Sequence, residues 1–278
     1  MAAIPPDAEQ EIINRVYATY EAKEQERGLY LGRLGASFIG KECLRMIWLD
    51  WRAYARPSFE GRMLRLFETG HRQEERIIQD LRSAGLQVFS EDAEGNQYAF
   101  TDPTGHLVAK VDGVVTGVPG SSKAHLFEAK SHNKNSFSGF AKKKVLEVKP
   151  EHYTQTQMGM ALGGFERGLY AAICKDDEKY YVERLHPDKP HVEEMLKRVV
   201  KLVDARLRPA GISDDGEAFG CKYCDMKEVC TGRAAPLRTC RSCRNSEPTE
   251  NGSWTCNLKG IPLSLDEQKA ACQHYEVL

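Results

Sequence analysis

Two short apolar runs, each closed by a carboxylate, limit the fold of this chain more than any other stretch. Leu107-Val108-Ala109-Lys110-Val111 ends at Asp112, just before Gly113, and Ala124-His125-Leu126-Phe127 ends at Glu128-Ala129-Lys130. Runs of this length read as strands. Strand side chains alternate between faces, so Glu128 and Lys130 point one way and Ala129 the other. If the two strands are neighbours, two carboxylates, one ammonium and the Ala129 carbonyl meet at a single spot. Hard oxygen ligands suit Mg²⁺ or Mn²⁺. Such an ion can acidify a water and steady charge on a phosphoryl oxygen. Lys130 can orient that water, which completes the parts needed to hydrolyse a phosphodiester. Glu-x-Lys is also the pattern of a solvated, self-paired strand face, so the flanking segments decide how it is read.

Upstream, apolar residues at 64, 67, 77, 78 and 81 have helical spacing, and Gly85 is a natural stop. Gly70 and Glu74 lie one turn apart on this helix. The glycine would admit another backbone, and Glu74 would add a third carboxylate, with His71 as an alternative ligand. Downstream, His152-Tyr153-Thr154-Gln155-Thr156-Gln157 opens another helix, whose Gln155 or Gln157 amide can hold a phosphate or a water. Between them runs a basic stretch with Lys134, Lys142, Lys143 and Lys144 and interleaved Phe137 and Phe140. Cations of this kind bind backbone phosphates and aromatic rings take unstacked bases. A flexible solvated loop would have the same composition.

The spacing predicts helices over 8–26, 37–52, 60–84, 150–163 and 191–208, with Ser37 as an N-cap. Strands are expected at 87–89, 97–100, 107–116, 124–130, 165–174 and 179–185. Residues 131–149 are read as a long loop. This gives a mixed α/β protein. The order Gly70-x-x-x-Glu74, Asp112, Glu128-Ala129-Lys130, then a glutamine helix resembles the PD-(D/E)XK nuclease superfamily. The nearest branch is similar to the RecB-type, lambda-exonuclease and CRISPR-associated iron–sulfur exonuclease group, over about residues 37–230. The resemblance implies a restriction-endonuclease-like core, a mixed central sheet flanked by helices. It implies metal ligands at Asp112 and Glu128, a water-positioning Lys130 and an assisting glutamine. The branch's Gln-x-x-x-Tyr pattern is departed from: Gly159 follows Gln155 by four positions, so the tyrosine's role is lost.

Nine cysteines without an apolar signal core at Met1–Asp7 point to metal binding before disulfides. Cys221-x2-Cys224-x5-Cys230, with Cys43 far upstream, resembles the cluster ligands of the iron–sulfur nucleases, which implies a structural 4Fe-4S centre; thiolate softness equally allows zinc. Cys240-x2-Cys243-x12-Cys256-x15-Cys272 looks like a closed zinc knuckle, in which His274 could replace Cys272. Cys174 is left over as a core residue. The chain divides into an N-terminal helical region with Cys43 (1–58), the core (59–210), the cysteine-triplet segment (211–235) and a small Cys-rich metal-binding appendage (236–278).

A net charge of -1 excludes a generally cationic nucleic-acid binder. DNA, the expected substrate, must therefore meet a local basic groove. No apolar run is long enough to span a membrane. The expected setting is the cytoplasm of a bacterial or phage-infected cell, with a recombination or replication protein as a partner and the oligomeric state left open. A non-catalytic DNA-binding protein with structural metal sites is the competing reading. Asp112 and Glu128 oppose it, because a pure binder gains nothing from carboxylates where phosphates must come.

Overall fold

In the computed structural model, which describes residues 6–278, helix α1 (Pro6–Glu26) leads into strand β1 (Leu34–Gly35) and helices α2 (Ala36–Ile39), α3 (Leu44–Trp51) and α4 (Gly61–Ser83). Strands β2 (Gln87–Phe89), β3 (Ala99–Thr101), β4 (Leu107–Lys110), β5 (Gly113–Thr116) and β6 (His125–His132) follow. Next come α5 (Lys134–Phe137), α6 (Phe140–Val148), α7 (Pro150–Gly163), β7 (Gly168–Cys174), β8 (Tyr180–Leu185) and α8 (Lys189–Val203). The C-terminal part holds α9 (Lys227–Cys230), β9 (Ser246–Pro248), β10 (Trp254–Cys256), β11 (Ile261–Pro262) and α10 (Leu265–Lys269). The first five residues, part of the stretch read for a signal core, lie outside the described residues. No helix among the described residues is long and apolar enough to cross a membrane.

The central sheet has five strands in the order β2-β5-β6-β7-β8 and is mixed: β6 and β7 are parallel, the other pairs antiparallel. One face packs Phe127, Ala129, Leu169 and Ala171 against Ile77 and Ile78 of α4. The other packs Leu126, Tyr170 and Ala172 against Phe140 and Val145 of α6 and Tyr153 and Met160 of α7. This is the mixed α/β architecture expected from the sequence, with helices on both faces.

The expected strand 107–116 is two strands in two sheets. β4 belongs to a small sheet, β1-β4-β3, and β5 to the large one. The chain changes sheet at Val111 and Asp112: the Val111 amide donates to Tyr98 O, and the Asp112 amide donates to Phe127 O on β6. Gly113 makes the turn possible. Its φ is +153°, and a Cβ there would stand 2.5 Å from Phe89 O, which only glycine avoids.

Other boundaries also differ. The helix expected over 37–52 breaks at residues 40–43 into α2 and α3, and the N-caps are Gly35 and Cys43 rather than Ser37. Residues 131–149 are not a loop. β6 runs on to His132, Asn133 caps α5 by accepting from the Ser136 amide, and Phe140 and Val145 bury α6 against the sheet. Lys144 sits at φ +59° inside α6 and kinks it. The last long helix stops at Val203, five residues early.

The Cys-rich C-terminal segment is built into the molecule rather than hung from it. Trp254, Cys256 and Leu263 share one core with Trp48 and Trp51 of α3, Leu107 of β4, Met158 of α7 and Met195 of α8. Two buried arginines fasten it. Arg241 donates to Gly32 O, Trp51 O and Gln268 Oε1. Arg52 donates to Arg241 O at 3.1 Å and Ser246 O at 3.4 Å. Both guanidiniums stack on the Trp254 indole, at 4.2 Å for Arg241 and 5.2 Å for Arg52, so π-faces and carbonyls take the place of carboxylates. Burial lowers their pKa, to about 9 for Arg241 and about 10 for Arg52. Trp254→Ala should therefore destabilise the whole protein by about 3–5 kcal/mol in chemical denaturation. A loss confined to the C-terminal segment, with the main transition unmoved, would contradict a shared core.

Candidate active site

The edge-to-edge pairing of β5 with β6 places Gly113 opposite Phe127, so Asp112 lies beside Glu128-Ala129-Lys130. Asp112 Oδ2 accepts from the Ala129 amide at 2.8 Å and faces Lys130 Nζ at 3.3 Å. Lys130 Nζ also donates to Ala129 O at 3.0 Å and to Glu128 Oε1. One ammonium is thus ringed by two carboxylates and a main-chain carbonyl. Glu128 is fully buried, and its second oxygen, Oε2, has no hydrogen-bond partner. Such an orphan is costly unless another charge reaches it.

Burial pushes the Glu128 carboxyl up to about 8, with Lys130 opposing and Asp112 reinforcing. Burial alone would lower the Lys130 ammonium, but Glu128 and Asp112 hold it above the ordinary lysine range. The charged ammonium is the firmer member of this pair, since three oxygens face it. Glu74, on α4, is raised to about 7 by burial and then by Asp112. Both carboxyls are raised first by burial, and Asp112 adds to this by crowding, so their ionised forms lack stabilisation that a further cation would give. The orphaned oxygen and the all-oxygen donor set fit a hard divalent cation. As placed, no three His, Cys, Asp or Glu side chains among the described residues enclose an ion; Lys130 Nζ itself stands between the carboxylates.

A cleft of about 570 Å³ opens above Lys130, walled by Glu74, Gly70 and His71 of α4 on one side and by His132, Ser136 and Lys175 on the other. His71 is exposed at its rim. Gly70 admits no second backbone, contrary to expectation: a Cβ there would meet nothing within 4 Å. Lys134, Lys142, Lys143 and Lys144 are all exposed, and none is in an ion pair among the described residues.

The two glutamines part company. Gln157 is buried and its amide is committed: Nε2 donates to His186 O at 2.8 Å and Oε1 accepts from the Asp188 amide at 2.9 Å. It ties α7 to the β8–α8 turn and does not reach the carboxylates. Gln155 is half-buried and donates to Lys110 O at 3.4 Å, two residues from Asp112. Gln157→Ala should cost about 2 kcal/mol of stability, while Gln155→Ala stays within about 0.5 kcal/mol, by urea titration.

A polar network under the site escaped the sequence reading. Tyr170 Oη lies 3.2 Å from His132 Nε2 and 2.9 Å from His152 Nδ1, and His132 Nδ1 lies 3.1 Å from Ser136 Oγ. His132 was legible in principle, since Glu128-x-Lys130-x-His132 continues one strand face. Tyr170 was not, because it depends on the parallel register that sets it opposite Glu128. Burial, then nearby lysines, pushes His132 down to about 4; burial, then Lys130, pushes His152 down to about 3.

Cys43, Cys221 and Cys224 line one pocket, and the Cys230 thiol accepts from Arg45 at 3.9 Å. Burial and then the neighbouring thiols raise Cys221. Cys240, Cys243, Cys256, Cys272 and His274 line a second pocket. The thiols of each set are neighbours, and as placed neither set encloses an ion among the described residues. Cys174 is buried in β7.

No known family profile matches the sequence, and no curated protein matches it. Among solved structures, the chain is similar to an alkaline exonuclease, LHK-Exo, from Laribacter hongkongensis. The identity is 19%, over 66% of this chain and 90% of that one, with a TM-score of 0.43. The same enzyme in complex with dAMP gives 18% identity over 68% and 89%, with a TM-score of 0.41. A protein named SSO0001 gives 12% identity over 81% and 98%, with a TM-score of 0.47.

The two histidines give a pH test. An unfolded histidine takes up a proton near 6.5, so below that pH the unfolded chain binds protons that the folded one refuses. Their contribution is intact above about 6.5 and is lost as pH falls towards 4 and 3. The raised carboxyls of Glu74 and Glu128 act in the opposite sense, so the comparison is between variants. The stability gap between wild type and His152→Asn should be widest at pH 7.5 and narrow steadily towards pH 5. A constant gap would mean that His152 is not held neutral.

Proposed function

We propose that the chain is a divalent-metal-dependent DNA nuclease, an exonuclease acting in recombination, repair or phage DNA processing. The observation that carries this is the ring of Asp112 Oδ2, Glu128 Oε1 and Ala129 O around a single cationic position, beside the unpartnered Glu128 Oε2. Those oxygens would hold Mg²⁺ or Mn²⁺. When bound, the ion supplies a more acidic water and stabilises charge on a phosphoryl oxygen. Lys130 would hold the attacking water at its ammonium. Glu74, with its raised pKa, takes or shares a proton on the open side of the site. Gln155 steadies the phosphate near Asp112. The unpaired lysines of α5 and α6 attract the backbone of DNA. A pure DNA-binding protein would have no use for buried carboxylates whose ionisation is this costly.

We assign the first thiol set, Cys43, Cys221, Cys224 and Cys230, to a 4Fe-4S cluster, with zinc the alternative, and the second set to a structural zinc, on the chemistry of their donors. Iron and zinc counts on anaerobically prepared protein check both.

Asp112→Ala, Glu128→Ala and Lys130→Ala should each cut Mg²⁺-dependent DNA degradation by about 100-fold or more, assayed on end-labelled linear DNA beside a circular control. Undiminished activity in all three would sink the assignment. Rapid loss of the circle would replace exonuclease with endonuclease.

A further inference from the structure

Gly70 lies well inside α4, where glycine is the poorest helix former after proline. Its backbone is ordinary, since it is not among the glycines with positive φ. No neighbour requires it either, because an added Cβ would meet nothing within 4 Å. The space that it leaves opens into the cleft. Leu66, Phe67, Gly70, His71 and Glu74 form one continuous wall of that cleft, and they follow the spacing of a single helix face. The wall changes character along its length. It begins at the Glu74 carboxylate, passes the Gly70 gap, and ends on two exposed apolar side chains, Leu66 at 39% and Phe67 at 42%. Phe67 is held edge-on by Phe59, with ring centroids 5.1 Å apart. The facing wall is polar and cationic, with Lys130, His132, Ser136 and Lys175. One side suits a base and a sugar, the other a phosphate.

We infer that the Gly70 gap is a nucleoside subsite. The sugar and base next to the scissile phosphate lie against α4 at Gly70 and pack on Leu66 and Phe67, while their phosphates face Lys130 and Lys175. The inference rests on the nuclease reading and specifies where its substrate sits. Contact through a ring face and an aliphatic side chain carries no base readout, so the subsite accepts any of the four bases. Glycine is required because any side chain at 70 would fill the space that the sugar needs. On a helix that side chain would lean back over the preceding turn, onto Leu66 and Phe67.

Gly70→Ala and Gly70→Leu test it, since both replacements favour the helix. Three quantities are measured on the full-length protein: the melting temperature, Mn²⁺ affinity by calorimetry, and affinity for a labelled single-stranded oligonucleotide with Ca²⁺ present. Cleavage of the same oligonucleotide in Mg²⁺ is followed in parallel. Gly70→Ala should melt about 2 °C above wild type, and Gly70→Leu no lower than wild type. In Gly70→Leu, oligonucleotide affinity and kcat/KM should fall at least tenfold while Mn²⁺ affinity is unchanged, with Gly70→Ala between the two. Wild-type affinity and cleavage in Gly70→Leu would overturn the subsite, as would an equal loss of Mn²⁺ affinity, which would make Gly70 part of the ion site. A wild type that binds the oligonucleotide, loses it in Gly70→Leu and yet cuts nothing would remove the nuclease reading and keep the subsite. A wild type that neither binds nor cuts overturns both.

Discussion

The rest of the structure is arranged around a concentration of like charge that folding alone would oppose. Asp112, Glu128 and Glu74 are brought together where α4 meets the junction of β5 and β6, and one ammonium is set among them. Desolvating carboxylates raises their pKa, and crowding them raises it further. Glu128 and Glu74 both show this. The scaffold tolerates it because the sheet beneath is rigid: β6 is hydrogen-bonded on both sides, to β5 and β7, and apolar side chains pack on both faces. Crowded, desolvated carboxyls with an orphaned oxygen would gain from a second cation. That gain is the physical basis of the hydrolytic centre proposed above.

Much of this was legible in the sequence, for identifiable reasons. Alternation along Glu128-Ala129-Lys130 puts two charges on one strand face whatever the rest of the chain does. The cysteines fall into an early residue, a triplet and a late quartet, with Cys174 apart, and that grouping suggested which thiols are neighbours. Helical periodicity located α4 and α8 because each buries one stripe. What escaped depends on contacts between distant segments. The 107–116 run looks like one strand because both halves are apolar, and nothing in it announces that two different sheets share it. The Lys-rich stretch looks like a loop because its buried residues, Phe140 and Val145, are few and widely set. Gln155 and Gln157 cannot be told apart by type; only the turn after β8, which captures the Gln157 amide, separates them.

The C-terminal cysteine segment holds a similar lesson. Its composition suggested a small appendage. Two arginines without carboxylate partners and a tryptophan between them instead lock it to α3 and to the start of the small sheet. Arg52 and Arg241 are unremarkable in the sequence. Their weight comes from burial against indole faces and main-chain carbonyls, which no local pattern encodes.

The change of sheet at residues 111 and 112 has a mechanical meaning. Glu128 and Lys130 ride on one strand, so their mutual spacing is fixed by a single piece of backbone. Asp112 is pinned differently: the amide before it belongs to the small sheet and its own amide to the large one. Its carboxylate is tied to β6 as well, through the Ala129 amide, so Asp112 is a rivet that joins the two layers at the site. Because β4 shares its core with Trp254 and Cys256, the layer on the other side of that rivet is packed against the cysteine-bearing C-terminal segment.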